Sequence, residues 1–153
     1  MTEFFGTYNH RIDAKGRVAL PAKFRKSLDR ENVTGELVVT TSPSKYDDTH
    51  NESLYVFSLE DFNSWINSFF EVVGGYNPRK KEHELLMLAL HANVEDVSID
   101  SAGRINIPQK FRDAAGLEAD VSIVGNSGHF EVWDAKRMEQ KLTEIDLESL
   151  LYD

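Results

Sequence analysis

Apolar residues along this chain of 153 residues fall in short runs separated by polar, glycine-containing or proline-containing segments, a pattern that predicts many short elements. Eight runs are predicted to be strands, and they come in pairs: 8–12 with 17–20, 37–41 with 54–57, 94–99 with 104–107, and 121–124 with 129–133. A helix is predicted after each pair, at 22–28, 59–70, 108–115 and 135–142. The order strand, strand, helix, strand, strand, helix therefore occurs twice, which is typical of an α+β fold.

The chain also contains an internal repeat. The segment 13–25, DAKGRVALPAKFR, recurs 87 positions later as 100–112, DSAGRINIPQKFR, with seven of thirteen positions identical and no gap. Each copy of such a repeat is usually one supersecondary unit. We therefore expect two pseudo-equivalent halves, 1–76 and 93–143, with a connecting helix at 77–92 and an acidic tail at 144–153, in one compact domain overall.

Local residue choices support these elements. Asp and Gly bound the connections 13–16 and 100–103, as a tight turn prefers, since Gly tolerates positive φ. Pro21 and Pro108 stand where a helix can begin, because proline is tolerated at the first helical position. Ser58 with Asp61 predicts a capping box for the helix 59–70, and Asp134 is a predicted N-cap for the helix 135–142.

The connecting helix has an unusual apolar pattern. Its run 85–90 is apolar all round the helix, which indicates burial on more than one side. We interpret this run as a protomer interface rather than a ligand pocket. The cations at 79–81 open the same helix, where they oppose its dipole, and we interpret them as plain surface rather than as ligand-facing groups.

Composition limits the classes of protein. The hydrophobic content of 41% is enough for a real core, and the absence of cysteine excludes disulfides and thiolate metal sites. The first residues have neither a basic nor an apolar signal-peptide region, and the longest purely apolar run is too short to span a bilayer. We expect a soluble intracellular protein.

Charge is distributed unevenly. The net charge of −9 argues against nucleic acid, but residues 9–30 carry seven basic and two acidic groups, and residues 131–153 carry seven acidic and three basic groups. Basic charge is thus concentrated around the first repeat. This asymmetry indicates either a polyanion-binding patch or merely a solvated face.

The paired motif Asp-x-x-Gly-Arg-x-x-x-Pro-x-x-x-Arg, together with 130–134 (FEVWD), resembles the MraZ family of bacterial transcriptional regulators. The resemblance covers nearly the whole chain. It implies two AbrB-like swapped-hairpin halves in a double-split β-barrel, and closed rings of protomers. It also implies a cytoplasmic, nucleoid-associated protein that binds short direct repeats of double-stranded DNA upstream of the division and cell-wall gene cluster, its own gene included, without a cofactor.

On this basis we expect a DNA-binding site in the repeats. Arg17 follows a Gly turn and is suited to bidentate contact with phosphate or with guanine O6 and N7. Asp13 would accept hydrogen bonds from the turn or from Arg17 and so fix the shape of the loop. We expect Arg17 to contact base edges and Arg11, Lys15 and Arg25 to neutralise phosphates. The full candidate set comprises Arg11, Asp13, Lys15, Arg17, Lys23, Arg25, Asp100, Arg104 and Arg112.

Alternatives remain for parts of this site. The Asp-x-x-x-Arg pairs can be simple internal ion pairs, Asp100 with Arg104 in particular, and the helical cations of both copies can form a solvated face. The second copy has Ala102 in place of Lys15 and Asp113 in place of Lys26. We therefore expect the second half to bind phosphate less strongly than the first. A further departure is the stretch 42–53, which is longer than the turn usual in the family.

Two other functional classes, an enzyme and a protein-interaction module, are alternatives to a transcriptional regulator. An enzyme finds little support, because the five histidines lack metal spacing, His83-Glu84 is not followed by a second histidine, and no P-loop or G-x-S-x-G is present. We predict no catalytic residue, metal or small-molecule substrate. The second rival is a non-enzymatic, antitoxin-like protein-interaction module that uses the same barrel. In either case the tail is expected to pack on its own or a neighbouring protomer.

Overall fold

The computed structural model describes residues 1–152. Its elements, in chain order, are β1 (Thr7–Arg11), β2 (Arg17–Ala19), α1 (Ala22–Arg30), β3 (Glu36–Thr41), β4 (Leu54–Phe57), α2 (Leu59–Glu71), α3 (Lys81–Ala92), β5 (Val94–Ser98), β6 (Arg104–Asn106), α4 (Gln109–Ala114), β7 (Asp120–Asn126), β8 (His129–Asp134), α5 (Ala135–Glu144) and α6 (Leu147–Tyr152). The predicted order of strands and helices is confirmed. Two details differ from the prediction. The helix α3 begins at Lys81 and not at residue 77, because residues 77–80 form a turn in which Lys80 N–H donates to the carbonyl of Asn77. The tail forms the short helix α6.

The strands of the two halves are interleaved in one antiparallel sheet. Its order is β1-β7-β8-β4-β3-β5, and β2 and β6 form a separate two-stranded ribbon. Among the strands of residues 1–152, β3–β4 and β7–β8 are the pairs formed within a half, whereas β1–β7, β3–β5, β4–β8 and β2–β6 join one half to the other. Neither half therefore completes its sheet alone, and the fold is a mixed α+β arrangement with an antiparallel sheet.

The main core lies between the sheet and the layer formed by the ribbon, α1 and α4. Val18 and Ile105 are paired across the ribbon and are each 1% exposed, and Phe24 and Phe111 occupy equivalent positions on the two short helices. Because strand side chains alternate between faces, burial of Val18 and Ile105 directs their neighbours outward. The ribbon thus has an apolar inner face and a polar outer face.

A second cluster covers the opposite side of the sheet. Val38, Phe57, Phe62, Ile66 and Phe70 are buried there, with α3 packed beside α2. No residue of α3 is buried, and its leucines include Leu88 at 64% exposure, so the interface expected for the run 85–90 stays a prediction.

The cap of α2 is only partly the predicted capping box. Ser58 Oγ accepts from the backbone N–H of Asp61 at 3.1 Å, as expected. The buried carboxylate of Asp61 does not return this bond but accepts from Thr2 N–H at 2.9 Å. The first residues of the chain are therefore held against α2. At the other predicted cap, Asp134 accepts from the N–H of Arg137 as expected.

The long connection 42–53 is folded against α5. Asp47 accepts from the backbone N–H groups of Thr49 and His50, and this shapes the tip of the loop. Arg137 Nη1 donates to the carbonyls of Asn51, Glu52 and Ala115, while its guanidinium lies 4.0 Å from the ring of Tyr46. Arg137 therefore ties the loop of the first half to the end of α4 in the second.

Candidate nucleic-acid interface

Two Asp-bearing turns project from the ends of the ribbon: turn 1 (residues 13–16) and turn 2 (residues 100–103). In turn 1, Asp13 Oδ1 accepts from the N–H groups of Lys15 and Arg17 at 3.0 and 2.9 Å. Its other oxygen, Oδ2, accepts from Arg17 Nε at 2.7 Å. Both bonding schemes expected for Asp13 are therefore present together.

Turn 2 repeats this arrangement. Asp100 Oδ1 accepts from the N–H groups of Ala102 and Arg104 at 2.9 Å each, and Oδ2 accepts from Arg104 Nε at 2.9 Å. The backbone N–H of Arg17 is the main cause that lowers the pKa of Asp13 to about 2, and that of Arg104 likewise lowers the pKa of Asp100. Both carboxylates are thus ionised near neutral pH and hold their arginines.

The ion pairs leave the arginines available to a ligand. Within residues 1–152, each guanidinium uses only Nε for its aspartate, and neither terminal Nη group has a protein acceptor. The side chains are 38% exposed at Arg17 and 40% exposed at Arg104. An internal ion pair and an outward-facing guanidinium are therefore compatible, because different nitrogens serve the two purposes.

Both arginines stand on the outer face of the ribbon. Arg17 is paired with Asn106, and Ala19 with Arg104, so the two arginines are diagonal neighbours across the strands. Such neighbours are about 7–8 Å apart at their Cα atoms. The two repeats therefore present their arginines on one surface, not on opposite ends of the molecule.

The last arginine of each repeat lies on the turn of the other repeat. Arg112 Nε donates to the carbonyl of Ile107 at 3.0 Å, and its Nη1 lies 3.4 Å from the carbonyl of Ala14 in turn 1. Arg25 lies equivalently against Gly103 of turn 2. From the sequence, Arg25 is expected to act together with Arg17 of its own repeat. In the interleaved fold, Arg25 instead lies at turn 2 of the other repeat.

The other predicted cations have different settings: Arg11 and Lys15 lie at turn 1, whereas Lys23 lies on α1. Lys15 is exposed and forms no ion pair among the described residues, and Arg11 faces Asp120 across 3.5 Å, with both groups largely exposed. Lys23 lies 5.4 Å from the ring of Phe5, whereas its equivalent Lys110 is paired with Glu95 at 2.9 Å. Exposed ion pairs of this kind are weak, so Arg11 can exchange its partner for a phosphate.

Each turn borders an open cleft. The cleft beside turn 1, of about 510 Å³, is lined by Arg11 and Arg112 with Asp13 and Glu118, whereas that beside turn 2, of about 300 Å³, is lined by Arg25 with Asp29 and Asp100. The cleft beside turn 1 thus has one more arginine, with the same number of carboxylates. Within residues 1–152, no group of three or more His, Cys, Asp or Glu side chains is placed to hold a metal ion, and no helix is both long and apolar enough to cross a membrane.

Comparisons with known proteins match the segments that contain turn 1 and turn 2. The family model described as "MraZ protein, putative antitoxin-like" matches residues 4–46 and 90–151, which include both turns. A transcriptional regulator MraZ from Acetivibrio thermocellus is 37% identical over 137 residues, covering 89% of this chain and 84% of the relative. One from Treponema denticola is 34% identical over 141 residues, covering 92% of this chain and 88% of the relative. With both repeats and most of its length matched, the chain belongs to the MraZ family.

Proposed function

We propose that this protein is a sequence-specific DNA-binding transcriptional regulator that presents its β2–β6 ribbon to the major groove. The observation that carries the proposal is the pair of outward arginines, Arg17 and Arg104, held on one ribbon face by ionised aspartates. The major groove of B-DNA admits a two-stranded ribbon. With Nε engaged by the aspartate, the two Nη groups of each arginine donate to guanine O6 and N7.

Cations around the ribbon supply the sequence-independent part of binding. Arg11 and Lys15 neutralise phosphates beside turn 1, and Lys23 neutralises a phosphate from α1. Arg25 and Arg112 support the turns by their contacts with them. Turn 2 has Ala102 where turn 1 has Lys15, and the cleft beside turn 2 is lined by one arginine, against two beside turn 1. Turn 1 therefore binds DNA more strongly than turn 2.

One protomer offers few contacts, so specific affinity requires several protomers on repeated sites. Linked binding events gain from effective concentration when their spacing matches. The exposed leucines of α3 provide the protomer interface of a ring-like homo-oligomer. We extend this proposal to the finer features that the family resemblance implies: a double-split β-barrel, nucleoid association, and promoter repeats of the division and cell-wall gene cluster, the protein's own gene included.

The test is a binding titration with labelled DNA from upstream of the protein's own coding region, at two salt concentrations. Arg17→Ala is compared with Lys136→Ala, which removes an exposed cation on α5. Loss of a guanine contact of about 1–3 kcal/mol predicts binding weaker by roughly 5- to 150-fold for Arg17→Ala, with the mass of the assembly unchanged. Equal affinity of Arg17→Ala and wild type would refute the role of Arg17.

A second candidate is the antitoxin-like interaction module. It is favoured by apolar groups that nothing covers among the described residues, including Leu147, Leu150 and Leu151 on α6, each at least 64% exposed. The same titration separates the two functions. Failure of the wild-type protein to bind its upstream DNA at low salt would support the module and reject the regulator.

A further inference from the structure

The two turns are completed by residues from the opposite repeat. Ile107 N–H donates to the carbonyl of Gly16 at 2.8 Å, and Leu20 N–H donates to the carbonyl of Gly103 at 3.0 Å. Positions 20 and 107 are equivalent in the repeat, as are 16 and 103. The last arginine of each copy also contacts the turn of the other copy. Turn 1 is therefore contacted by Ile107 and Arg112 of the second repeat, and turn 2 by Leu20 and Arg25 of the first.

Arg112 covers turn 1 closely. A Cβ atom placed on Gly16 would lie 2.9 Å from Arg112 Nε and 3.0 Å from its Cζ, so the guanidinium lies directly on the glycine. Arg112 is half-buried, and its Nε and Nη1 point to the carbonyls of Ile107 and Ala14. These contacts restrain the peptide groups that lead into Arg17.

Arg25 covers turn 2 in a looser way. A Cβ atom on Gly103 would lie 2.8 Å from Arg25 Nη1 and 2.9 Å from its Cδ. Arg25 is exposed, however, and no hydrogen bond from its side chain to the described residues accompanies this contact. The restraint on turn 2 is therefore weaker than the restraint on turn 1.

We propose that Arg112 is a positioning residue for Arg17, and Arg25 for Arg104, so that each DNA-contacting turn depends on the opposite repeat. This inference rests on the proposed function, because it concerns the geometry of the same arginines. A contact with a base requires the donor to be held within about 0.5 Å of its productive position, which the Asp-bearing turn alone does not guarantee. The covering guanidinium supplies the missing restraint, and the two halves of the site become coupled.

A double-mutant cycle across the repeats tests the pairing. The variants are Arg17→Ala, Arg104→Ala and Arg112→Ala, with the doubles that combine Arg112→Ala with each of the other two. If Arg112 acts through Arg17, its loss has little further effect once Arg17 is absent, so the Arg17/Arg112 double should bind DNA within about twofold of Arg17→Ala. The Arg104/Arg112 double should instead show roughly the product of the two single losses.

The opposite pattern would overturn the inference. If Arg112→Ala is additive with Arg17→Ala but not with Arg104→Ala, Arg112 serves its own repeat. Additivity with both would show that Arg112 acts without either turn. A general loss of stability cannot mimic the expected result, since it would affect the two doubles alike; the unfolding midpoint of each variant is measured beside its affinity.

A second cycle keeps the test decisive if Arg112→Ala does not fold. Arg25→Ala removes an exposed side chain, and it should be non-additive with Arg104→Ala and additive with Arg17→Ala. The single variants distinguish failure of this inference from failure of the proposed function. If Arg17→Ala and Arg104→Ala both bind as wild type, the DNA-binding proposal itself fails, whereas large single losses with the wrong pairing reject only the positioning role.

Discussion

Replacement of Gly16 by alanine should harm the protein more than replacement of the equivalent Gly103. Both glycines have positive φ, +90° at Gly16 and +77° at Gly103, so any L-residue is strained at either position. That backbone conformation costs a non-glycine residue about 1–2 kcal/mol. This part of the loss is shared by the two variants.

The difference arises from what the new methyl group would meet. At Gly16 it would lie 2.5 Å from the carbonyl oxygen of Ile107, a backbone atom of the opposite repeat. At Gly103 its nearest neighbours are side-chain atoms of Arg25, an exposed residue that can move aside. Overpacking against a fixed group adds roughly 1–3 kcal/mol, which gives a total of about 2–5 kcal/mol for Gly16→Ala and about 1–2 kcal/mol for Gly103→Ala.

The assay is thermal unfolding followed by circular dichroism. A loss of 1 kcal/mol lowers the Tm of a chain of this size by about 2–4 °C, so Gly16→Ala should lower the Tm about 1.5 to 4 times as far as Gly103→Ala. All samples are measured at one protein concentration, because any self-association would make the Tm depend on concentration. If Gly103→Ala lowers the Tm as much as Gly16→Ala, the close approach of the Ile107 carbonyl to turn 1 does not control stability and the reasoning is wrong.

Three further predictions concern other parts of the fold. Arg137→Ala removes the three hydrogen bonds to carbonyls and the contact with Tyr46, and should lower the free energy of unfolding by about 2–4 kcal/mol in urea titrations. The control Lys136→Ala should lower it by less than about 0.5 kcal/mol. Equal effects would show that Arg137 does not hold the 42–53 loop. Burial raises the pKa of Glu131, but hydrogen bonds from His129, Asn126 and Trp133 outweigh it and lower that pKa below its ordinary 4.5. The resulting stability is present above pH 4.5 and is lost as the pH falls through the lower folded value, so Glu131→Gln should flatten the acid-side loss of unfolding free energy; parallel wild-type and variant curves would contradict this. Deletion of residues 143–153 should lower the Tm or the mass of the assembly, since α6 is apolar and exposed, and no change in either would show that the tail does not pack.

Much of the site follows from residues that are close in sequence. The Asp-x-x-x-Arg spacing, with Gly before the arginine, predicts a turn in which Asp13 accepts from the backbone and from Arg17, and the structure has both bonds. Strand and helix order follow from short-range patterns, because alternation and helix caps involve residues only a few positions apart. The concentration of basic charge around the first repeat likewise follows from the positions of the charged residues along the chain.

Local patterns do not determine which repeat completes which turn. Arg112 and Ala14 are separated by 98 positions, and their proximity follows from strand pairs such as β2–β6 that bury Val18 and Ile105 together. The bond from Thr2 to Asp61 is also absent from the short-range predictions, because it depends on burial shared between segments 59 positions apart. The chain therefore specifies its turns by local hydrogen bonding, whereas the pairing of each turn with an arginine of the other repeat arises only when the two halves form one sheet.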